Sequence, residues 1–261
     1  MSPFAFTHAI ARAPARSVVD GLRAHDGEGP DYDGVAAEHA AYVAALGDAG
    51  VEVEVLAPLE AYPDSVFVED PALVFGEGAV LLRPGAPTRA GETAELASTL
   101  QARFERVLTL GQGFADGGDV LVAPREVLIG LSARTDPAGA RSLSILLAEL
   151  GRTARTVAPP PGVLHLKTAC ALLDEETVLA TGPLVAAGLF PGMRVLTVPA
   201  GEEAAANLIR VGDRVLAAAG HPRTLDLIDA HGLAVTALST REISKIDAGL
   251  SCMSLRWRAS P

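Results

Sequence analysis

The side chains in this sequence that are best suited to chemistry begin with a cysteine and a histidine, each at the start of a predicted strand. Cys252 lies among small residues in 249–255, and His165 lies in 162–168. A free cysteine is usually a buried small hydrophobe, and a lone histidine is usually a structural hydrogen-bonding group, so neither indicates catalysis by itself. As a pair they could act together in catalysis. Cys252 would be the nucleophile once a cationic neighbour lowers the pKa of its thiol, and His165 would be the general acid that protonates a leaving group.

Several carboxylates accompany this pair. Asp64, Glu69 and Asp70 surround a short apolar stretch, and Asp116 and Asp119 lie across two glycines, which permit close approach of the backbone. An Asp-Gly-Gly-Asp sequence alone is typical of a turn. Beside a cysteine and a histidine, however, these acids indicate a pocket for a planar cation. A guanidinium fits that description because its N–H donors form a fixed fork that carboxylates match.

Two arginines complete the set of candidates. Arg89 and Arg134 open the segments that precede two predicted helices. Exposed arginines are usually solvated, but a pair beside such a pocket also suits the carboxylate of an amino acid. Cys170 lies inside an apolar run and is interpreted as a buried structural cysteine. The remaining histidines are interpreted as structural or solvated: His8, His25, His39, His221 and His231.

The overall composition narrows the classes of protein to consider. The 261 residues include 32 acidic and 21 basic side chains, and the formal net charge of −11 argues against nucleic acid or a membrane surface as the main partner. An apolar content of 49% excludes global disorder. The sequence has no membrane-spanning apolar run, no signal-peptide pattern at its N-terminus, and two cysteines that form neither a disulfide framework nor a zinc motif. We therefore expect a cytoplasmic globular protein.

The elements that must position these residues follow an internal repeat. Four segments share an apolar strand, a tight turn and a second apolar strand, a pattern that predicts four β-hairpins. These segments begin at Glu69, Gly117, Lys167 and Ala205. Helical periodicity follows several of them, with Leu96 and Leu100 at four-residue spacing after the first and Asp136-Pro137 as a helix start after the second. A further helix containing Leu225 and Ile228 ends at Gly232.

The two ends of the chain predict a fifth unit. Residues 5–11 and 250–257 each read as one strand without a hairpin partner, and a helix over 31–50 precedes a short strand over 51–55. Pairing of the two terminal strands would close a ring and remove exposed strand edges. The alternative is an open α/β sheet. In a ring, the starts of the inner strands converge on one centre, which brings Cys252, His165 and the carboxylates together.

The ordered motifs of this chain resemble those of the dimethylarginine dimethylaminohydrolases, a family of the guanidino-modifying pentein superfamily. The resemblance runs nearly end to end. The matching motifs are 10–22, Phe67-Val-Glu-Asp-Pro71, Thr88-Arg-Ala-Gly-Glu-Thr93, Asp116-Gly-Gly-Asp-Val-Leu121, Leu131-Ser-Ala-Arg-Thr135, Leu164-His-Leu-Lys-Thr168 and Lys245-Ile-Asp-Ala-Gly-Leu-Ser-Cys252. The resemblance implies an α/β fold, a five-bladed pseudo-symmetric propeller of ββαβ repeats around a central active site, with residues 1–261 forming a single catalytic domain.

The resemblance also implies an activity: hydrolysis of dimethyl-L-arginine, and of monomethyl-L-arginine, to L-citrulline and dimethylamine or methylamine. By resemblance Cys252 is the nucleophile that forms a covalent thiouronium, and His165 protonates the leaving amine and then activates water. Asp116 and Asp70 would bind the guanidinium, with Glu69 beside them. The expected contacts to the amino-acid end of the substrate are Asp64 and the carbonyl of Leu22 to the α-amino group, Arg89 and Arg134 to the α-carboxylate, and the backbone of Ile246 along the pocket.

Two features qualify the resemblance. Some bacterial members have Glu where this chain has Asp116, whereas others have Asp. Residues 23–30, rich in glycine and charge, resemble the family's mobile lid. No metal or organic cofactor is expected, and the expected partner is a methylated arginine bound by a monomer or homodimer. Two alternatives stay open: another guanidino enzyme, such as an arginine deiminase or an amidinotransferase, and a non-catalytic binding protein with the same fold.

Overall fold

A computed structural model of the chain describes residues 2–24 and 27–259, and the strands in these ranges form five three-stranded sheets. The strands are β1 (His8–Arg12), β2 (Glu52–Leu56), β3 (Ala72–Phe75), β4 (Gly78–Leu81), β5 (Val107–Thr109), β6 (Val120–Val122), β7 (Val127–Gly130), β8 (Ala154–Val157), β9 (Cys170–Leu172), β10 (Thr177–Ala180), β11 (Arg194–Thr197), β12 (Ile209–Val211), β13 (Arg214–Ala218), β14 (Ala234–Leu238) and β15 (Leu255–Trp257). The helices are α1 (Tyr32–Asp48), α2 (Glu92–Arg103), α3 (Pro137–Glu149), α4 (Gly182–Ala186) and α5 (Pro222–Ala230).

Four of the sheets repeat one connectivity. In each, two antiparallel strands form a hairpin, and a third strand runs parallel to the second strand of that hairpin. A parallel neighbour requires a crossover connection, which α2, α3, α4 and α5 supply in turn. All four predicted hairpins are confirmed, and the repeat is of the predicted ββαβ type.

The fifth sheet joins the two ends of the chain. β1 pairs antiparallel with β15, His8 opposite Trp257 and Ile10 opposite Leu255, and it pairs parallel with β2 after the crossover through α1. This pairing confirms the predicted closure into a ring, and the alternative of one open α/β sheet is wrong. The expectation of a single strand over 250–257 needs correction. Residues Leu250–Met253 form a 3₁₀ turn, in which the N–H of Cys252 donates to the carbonyl of Gly249, and the strand begins only at Leu255.

The helix starts follow from their capping residues. The Asp31 carboxylate accepts a hydrogen bond from the N–H of Gly34 at 2.8 Å and so caps α1. Asp136 caps α3 in the same way through Gly139 N–H at 2.6 Å, with Pro137 at the first helical position as predicted.

The apolar core is divided among the five repeats. Each of five clusters of buried apolar side chains contains residues from one helix, represented by Tyr42, Leu96, Leu143, Leu184 and Ile228. Apolar burial therefore lies mainly between helices and sheets. This arrangement leaves the inner strand starts, near the middle of the ring, available to polar residues.

Several smaller expectations are also tested. Among residues 2–24 and 27–259, no helix is long and apolar enough to cross a membrane. Cys170 and Cys252 are both free thiols. His39 is buried, and burial lowers its pKa to about 4, as suits a structural histidine. His231 pairs with Asp174 at 2.7 Å, whereas His25 lies outside the described residues.

Candidate active site

Three short 3₁₀ turns carry the candidate residues to the middle of the ring. Gly117–Asp119 precedes β6, Leu166–Thr168 precedes β9, and Leu250–Met253 precedes β15. One ligand-type atom from each of Asp70, Asp116 and His165 lies within 4.8 Å of the others. Residues that are far apart in sequence thus form one buried cluster, as the repeat predicts.

His165 is held by a carboxylate and kept protonated by its neighbours. Its Nε2 lies 3.1 Å from Oδ2 of Asp116, whose other oxygen accepts from the N–H of Gly85 at 2.7 Å. Burial of the ring opposes protonation. The charges of Asp70, Asp116 and Asp119 together outweigh burial and raise the pKa of His165 to about 9. At neutral pH the imidazolium is therefore available as a proton donor.

Asp70 is fixed between an arginine and a turn of backbone. One oxygen accepts from Arg89, and the other accepts from the N–H of Gly118 at 2.9 Å. Burial disfavours the ionised carboxylate, but His165, Arg89 and the Gly118 N–H hold the pKa of Asp70 below its ordinary value. Asp70 therefore remains an anion in the cluster.

Arg89 is buried and already bonded in this structure. Its guanidinium donates to both oxygens of Glu92, at 2.9 and 2.7 Å, and to the carbonyl of Phe67 at 2.9 Å as well as to Asp70. Burial raises the pKa of Glu92 to about 6 despite this arginine. The sequence reasoning did not single out Glu92, although its three-residue spacing from Arg89 was a usable signal.

Asp119 is a fully buried carboxylate that ties three segments together. One oxygen accepts from the N–H of Leu166 at 2.9 Å, directly after His165. The other accepts from the hydroxyls of Ser132 at 2.6 Å and Thr135 at 2.7 Å. The same Thr135 hydroxyl accepts from the N–H of Asp116 at 3.1 Å. Asp119 was recognised in the sequence as one of the acids but was not assigned a role.

The two glycines between Asp116 and Asp119 are required by close approach, as expected. A Cβ on Gly117 would lie 2.0 Å from the carbonyl oxygen of Glu69. A Cβ on Gly118 would lie 2.7 Å from the Nδ1 of His165 and 2.9 Å from Asp70. A side chain at either position would push the cluster apart.

Cys252 is buried beside amide and carboxylate groups. The side-chain amide of Asn207 lies 3.8 Å from its Sγ, and the amide oxygen of Asn207 accepts from the N–H of Ser251 at 2.9 Å. Burial, reinforced by the charges of Glu69 and Asp70, raises the pKa of the Cys252 thiol to about 11. The thiol is thus protonated at neutral pH until positive charge arrives nearby. Asn207 was recognised as a strand-start position, and its contact with Cys252 is new.

Glu69 has different partners from its neighbour Asp70. One Glu69 oxygen lies 2.6 Å from Nζ of Lys167 and 2.8 Å from Nη2 of Arg256, and the other accepts from the hydroxyl of Ser251 at 3.1 Å. The structure therefore places the Glu69 carboxylate with these two cations and next to the Cys252 segment.

The expected contacts for the amino-acid end of a substrate also lie near one another. Oδ1 of Asp64 accepts from the N–H of Leu22 at 3.0 Å, and burial raises the pKa of Asp64 while the charges of Arg89 and Arg134 lower it. The side chain of Ile246 contacts the same turn, since a Cβ on Gly21 would lie 3.2 Å from both Ile246 and Asp64.

Arg134 lies within the described residues, whereas two residues of the expected lid do not. The backbone N–H of Arg134 donates to the hydroxyl of Ser132 at 2.9 Å. The side chain of this half-buried residue has no hydrogen-bond partner within residues 2–24 and 27–259. In the expected lid over 23–30, His25 and Asp26 lie outside the described residues. On either side of them, Arg23 donates to the carbonyl of Gly27 at 3.0 Å.

The cluster of Asp70, Asp116 and His165 also has the spacing of metal ligands. Metal binding requires a neutral imidazole, whereas the surrounding carboxylates raise the pKa of His165 to about 9. Asp70 is in addition bonded to Arg89. The protonated His165 and the pairing of Asp70 with Arg89 therefore suit an organic cation better than a metal ion.

Comparison with known proteins decides the family. The family model for arginine deiminase matches residues 58–209. The dimethylarginine dimethylaminohydrolase of Pseudomonas aeruginosa is 41% identical over 256 residues, which cover 97% of this chain and 100% of that protein. The chain belongs to the dimethylarginine dimethylaminohydrolase family. A member from Streptomyces coelicolor is 37% identical over 96% of both chains.

The family's solved structures agree with the fold described above. A cysteine-to-serine mutant of the Pseudomonas aeruginosa family member, complexed with citrulline, superposes with a TM-score of 0.94 over 97% of this chain and 100% of that chain. The predicted five-unit pentein arrangement is confirmed by this likeness and by the five closed sheets.

Proposed function

We propose that this chain hydrolyses dimethyl-L-arginine, and monomethyl-L-arginine, to L-citrulline and dimethylamine or methylamine. The observation that carries the proposal is the buried cluster in which His165 is protonated and bonded to Asp116 beside the anion Asp70. Burial, reinforced by Glu69 and Asp70, keeps the Cys252 thiol protonated in this cluster. Such a site suits one further cation, held between these carboxylates and the thiol. A substrate guanidinium supplies it.

The first step is attack on the guanidinium carbon. A guanidinium is a poor electrophile because its charge is delocalised, so the site must hold it in place and present a strong nucleophile. We propose that Asp70 and Asp116 accept its N–H donors. Its positive charge offsets the negative charges of Glu69 and Asp70 and so lowers the pKa of Cys252. The thiol releases its proton to water, because His165 is already protonated, and the thiolate attacks the carbon through Sγ.

The second half of the reaction uses His165 twice. The tetrahedral adduct expels the alkylamine as the imidazolium transfers its proton to the leaving nitrogen. A thiouronium remains covalently bound to Cys252. The now neutral His165 accepts a proton from water, whose oxygen attacks the same carbon. Cleavage of the C–S bond releases citrulline and the cysteine, and the sequence of steps uses no metal or organic cofactor.

The other contacts follow the same logic. Asp64 and the carbonyl of Leu22 hold the α-amino group, with Glu69 and the backbone of Ile246 along the pocket. Arg134 holds the α-carboxylate with a guanidinium that no described residue engages. Arg89 shares this role only by exchanging one of its present bonds for the substrate.

We also propose that residues 1–261 act as a single catalytic domain, as a monomer or homodimer in the cytoplasm. The closed ring supports the first point, because β1 and β15 place the two ends of the chain in one sheet. Two free cysteines are consistent with a reducing compartment.

An arginine deiminase activity is the second candidate, because the matching family model carries that description. Product analysis separates the two. Dimethylarginine and free arginine are each incubated with the protein and with Cys252→Ser. Citrulline and dimethylamine, absent in the variant, are the expected result. Citrulline and ammonia from arginine alone would replace the proposal with the deiminase, and no product from either substrate would leave a binding protein.

A further inference from the structure

The inner strands of all five sheets line a partly open cavity of about 200 Å³ around the axis of the ring. At one end it is lined by Glu69, Lys167 and Ser251, which precede their strands and adjoin the candidate active site. At the other end it is lined by residues beyond the strand ends, such as Gly76 and Arg258. We refer to this space as the axial cavity. The Glu69 side chain thus stands between it and the Cys252 segment.

The axial cavity is strongly cationic in a chain of net charge −11. Among the described residues its lining includes five cationic side chains against the single carboxylate of Glu69. These cations are Arg152, Lys167, Arg210, Arg256 and Arg258. Two of them already share one oxygen of Glu69, so that carboxylate cannot balance the rest.

Two of the arginines are held in position by aromatic rings in the same lining. The guanidinium of Arg152 lies 4.2 Å from the centre of the Phe75 ring, and that of Arg210 lies 4.4 Å from the centre of the Phe4 ring. Stacking fixes the plane of a guanidinium and so prepares it for a planar acceptor.

The positive charges of these arginines are only partly balanced by the groups that they contact. Arg152 is balanced by Glu77 at 2.8 Å. Among the described residues, the Arg210 guanidinium donates to the carbonyls of Leu173 and Gly212, which carry no net charge. Arg258 is exposed and makes no ion pair within residues 2–24 and 27–259.

We propose that the axial cavity is a binding site for a small organic carboxylate, separate from the substrate site. The unbalanced arginines supply the charge and the planar donors that a carboxylate accepts. Apolar side chains between them, including Val74 and Leu172, favour an anion with a hydrocarbon part over a fully hydrated inorganic one.

The single tryptophan of the chain offers a direct test, because Trp257 lines the axial cavity. Succinate is titrated at constant low ionic strength while Trp257 fluorescence and the heat of binding are recorded. Saturable binding in the millimolar range or tighter is expected. Succinamide, which has the same skeleton without charge, is expected to give no saturable signal.

Substitutions of arginines that line the axial cavity test whether succinate binds there. Arg258→Ala is expected to weaken succinate binding about tenfold, the loss of one charge-assisted contact, and the double variant Arg210→Gln with Arg258→Ala to abolish it. Arg125→Ala removes an arginine with an 85% exposed side chain outside the cavity and is expected to change nothing. Both cavity variants should turn over methylarginine normally.

Three results would overturn the proposal. The first is absence of both heat and fluorescence change with succinate. The second is unchanged affinity in the double variant, which would place any binding elsewhere. The third is tighter binding of inorganic phosphate than of succinate, which would assign the cavity to a different class of anion.

Discussion

The two cysteines of this chain occupy similar places in two different blades, and their surroundings differ. Cys170 begins β9 after a 3₁₀ turn, its Sγ 3.3 Å from the carbonyl of Leu166, and it packs in an apolar cluster. Cys252 lies within the turn before β15, beside Asn207 and near the charges of Glu69 and Asp70. Burial raises the pKa of Cys170 to about 12 and that of Cys252 to about 11.

The charged groups around a buried thiol, and not its burial, distinguish Cys252 from Cys170. Burial alone gives both residues the same inert, protonated state. The carboxylates around Cys252 make its ionisation still harder in the free protein, and they serve a purpose only when a cation binds among them. Cys170 has no such unmet requirement, since its surroundings are apolar.

The largest expected effect separates the two thiols by substitution. Cys252→Ser should lower kcat for methylarginine by a factor of about 1000 or more, because a neutral hydroxyl is a far weaker nucleophile than a thiolate. Cys170→Ser should retain kcat within about twofold, with a loss of stability of about 1 kcal/mol or more from the buried hydroxyl. Citrulline formation and thermal unfolding measure the two effects. Comparable losses of kcat in both variants would end the distinction.

A second prediction concerns the binding of the cationic substrate that activates Cys252. Arg134→Ala should raise KM about 10- to 100-fold, because the α-carboxylate of the substrate loses a charge-assisted contact of roughly 1.5–3 kcal/mol. The matched control is Arg141→Ala, an exposed arginine on α3, for which steady-state kinetics should show no change. An unchanged KM for Arg134→Ala would remove this residue from the substrate site.

A third prediction concerns Asp119 as a positioning residue for His165. Asp119→Asn loses a charge that raises the pKa of His165 and weakens the bond to the N–H of Leu166. We expect kcat/KM to fall about tenfold, and the basic limb of its pH profile, set by loss of the His165 proton near pH 9, to move to lower pH.

The direction of that movement is the decisive readout. A purely structural defect would reduce kcat/KM equally at every pH. Ser132→Ala keeps the charge of the same carboxylate while removing a hydroxyl that bonds to it and to the N–H of Arg134. It serves as the control: kcat/KM falls to some extent, but the basic limb should stay nearly in place. A basic limb that stays where it is in Asp119→Asn would contradict the assignment.

Much of this architecture follows from the sequence, because it depends on local patterns. The hairpins and the helix cap at Asp136 rest on apolar periodicity and capping chemistry within short segments. The closure of the ring follows from two terminal strands that lack a hairpin partner. The repeat then places the strand starts of different blades together. That step correctly brings His165 near Asp70 and Asp116.

The side-chain partners are less accessible from the sequence, because they depend on contacts between blades. Glu69 and Asp70 are adjacent in the chain, but the first binds Lys167 and Arg256 and the second binds Arg89. No periodicity distinguishes the two carboxylates. The bond of Asp119 to the N–H of Leu166 likewise joins two segments that are 47 residues apart, and it appears only once the turns are packed.

The smallest expected effect is a shift in the ionisation of one thiol, measured on two single-cysteine proteins. With Cys170→Ser, alkylation of Cys252 by iodoacetamide should keep accelerating as the pH rises through 9 and 10, because its pKa is raised to about 11 instead of the ordinary value near 8.5. With Cys252→Ser, the folded protein should react far more slowly at every pH, since Cys170 is buried and has a pKa of about 12.

Removing a negative neighbour sharpens this test. Glu69→Gln deletes a charge that raises the pKa of Cys252, so the alkylation profile should move to lower pH, while the profile of Cys170 should stay unchanged. Unfolded protein in denaturant, where both thiols titrate near 8.5, gives the reference. A Cys252 profile that already levels off near 8.5 in the folded protein would mean that Glu69 and Asp70 do not oppose the thiolate. Cys252 would then need no bound cation to form its thiolate, and the two cysteines would differ only in their access to the reagent.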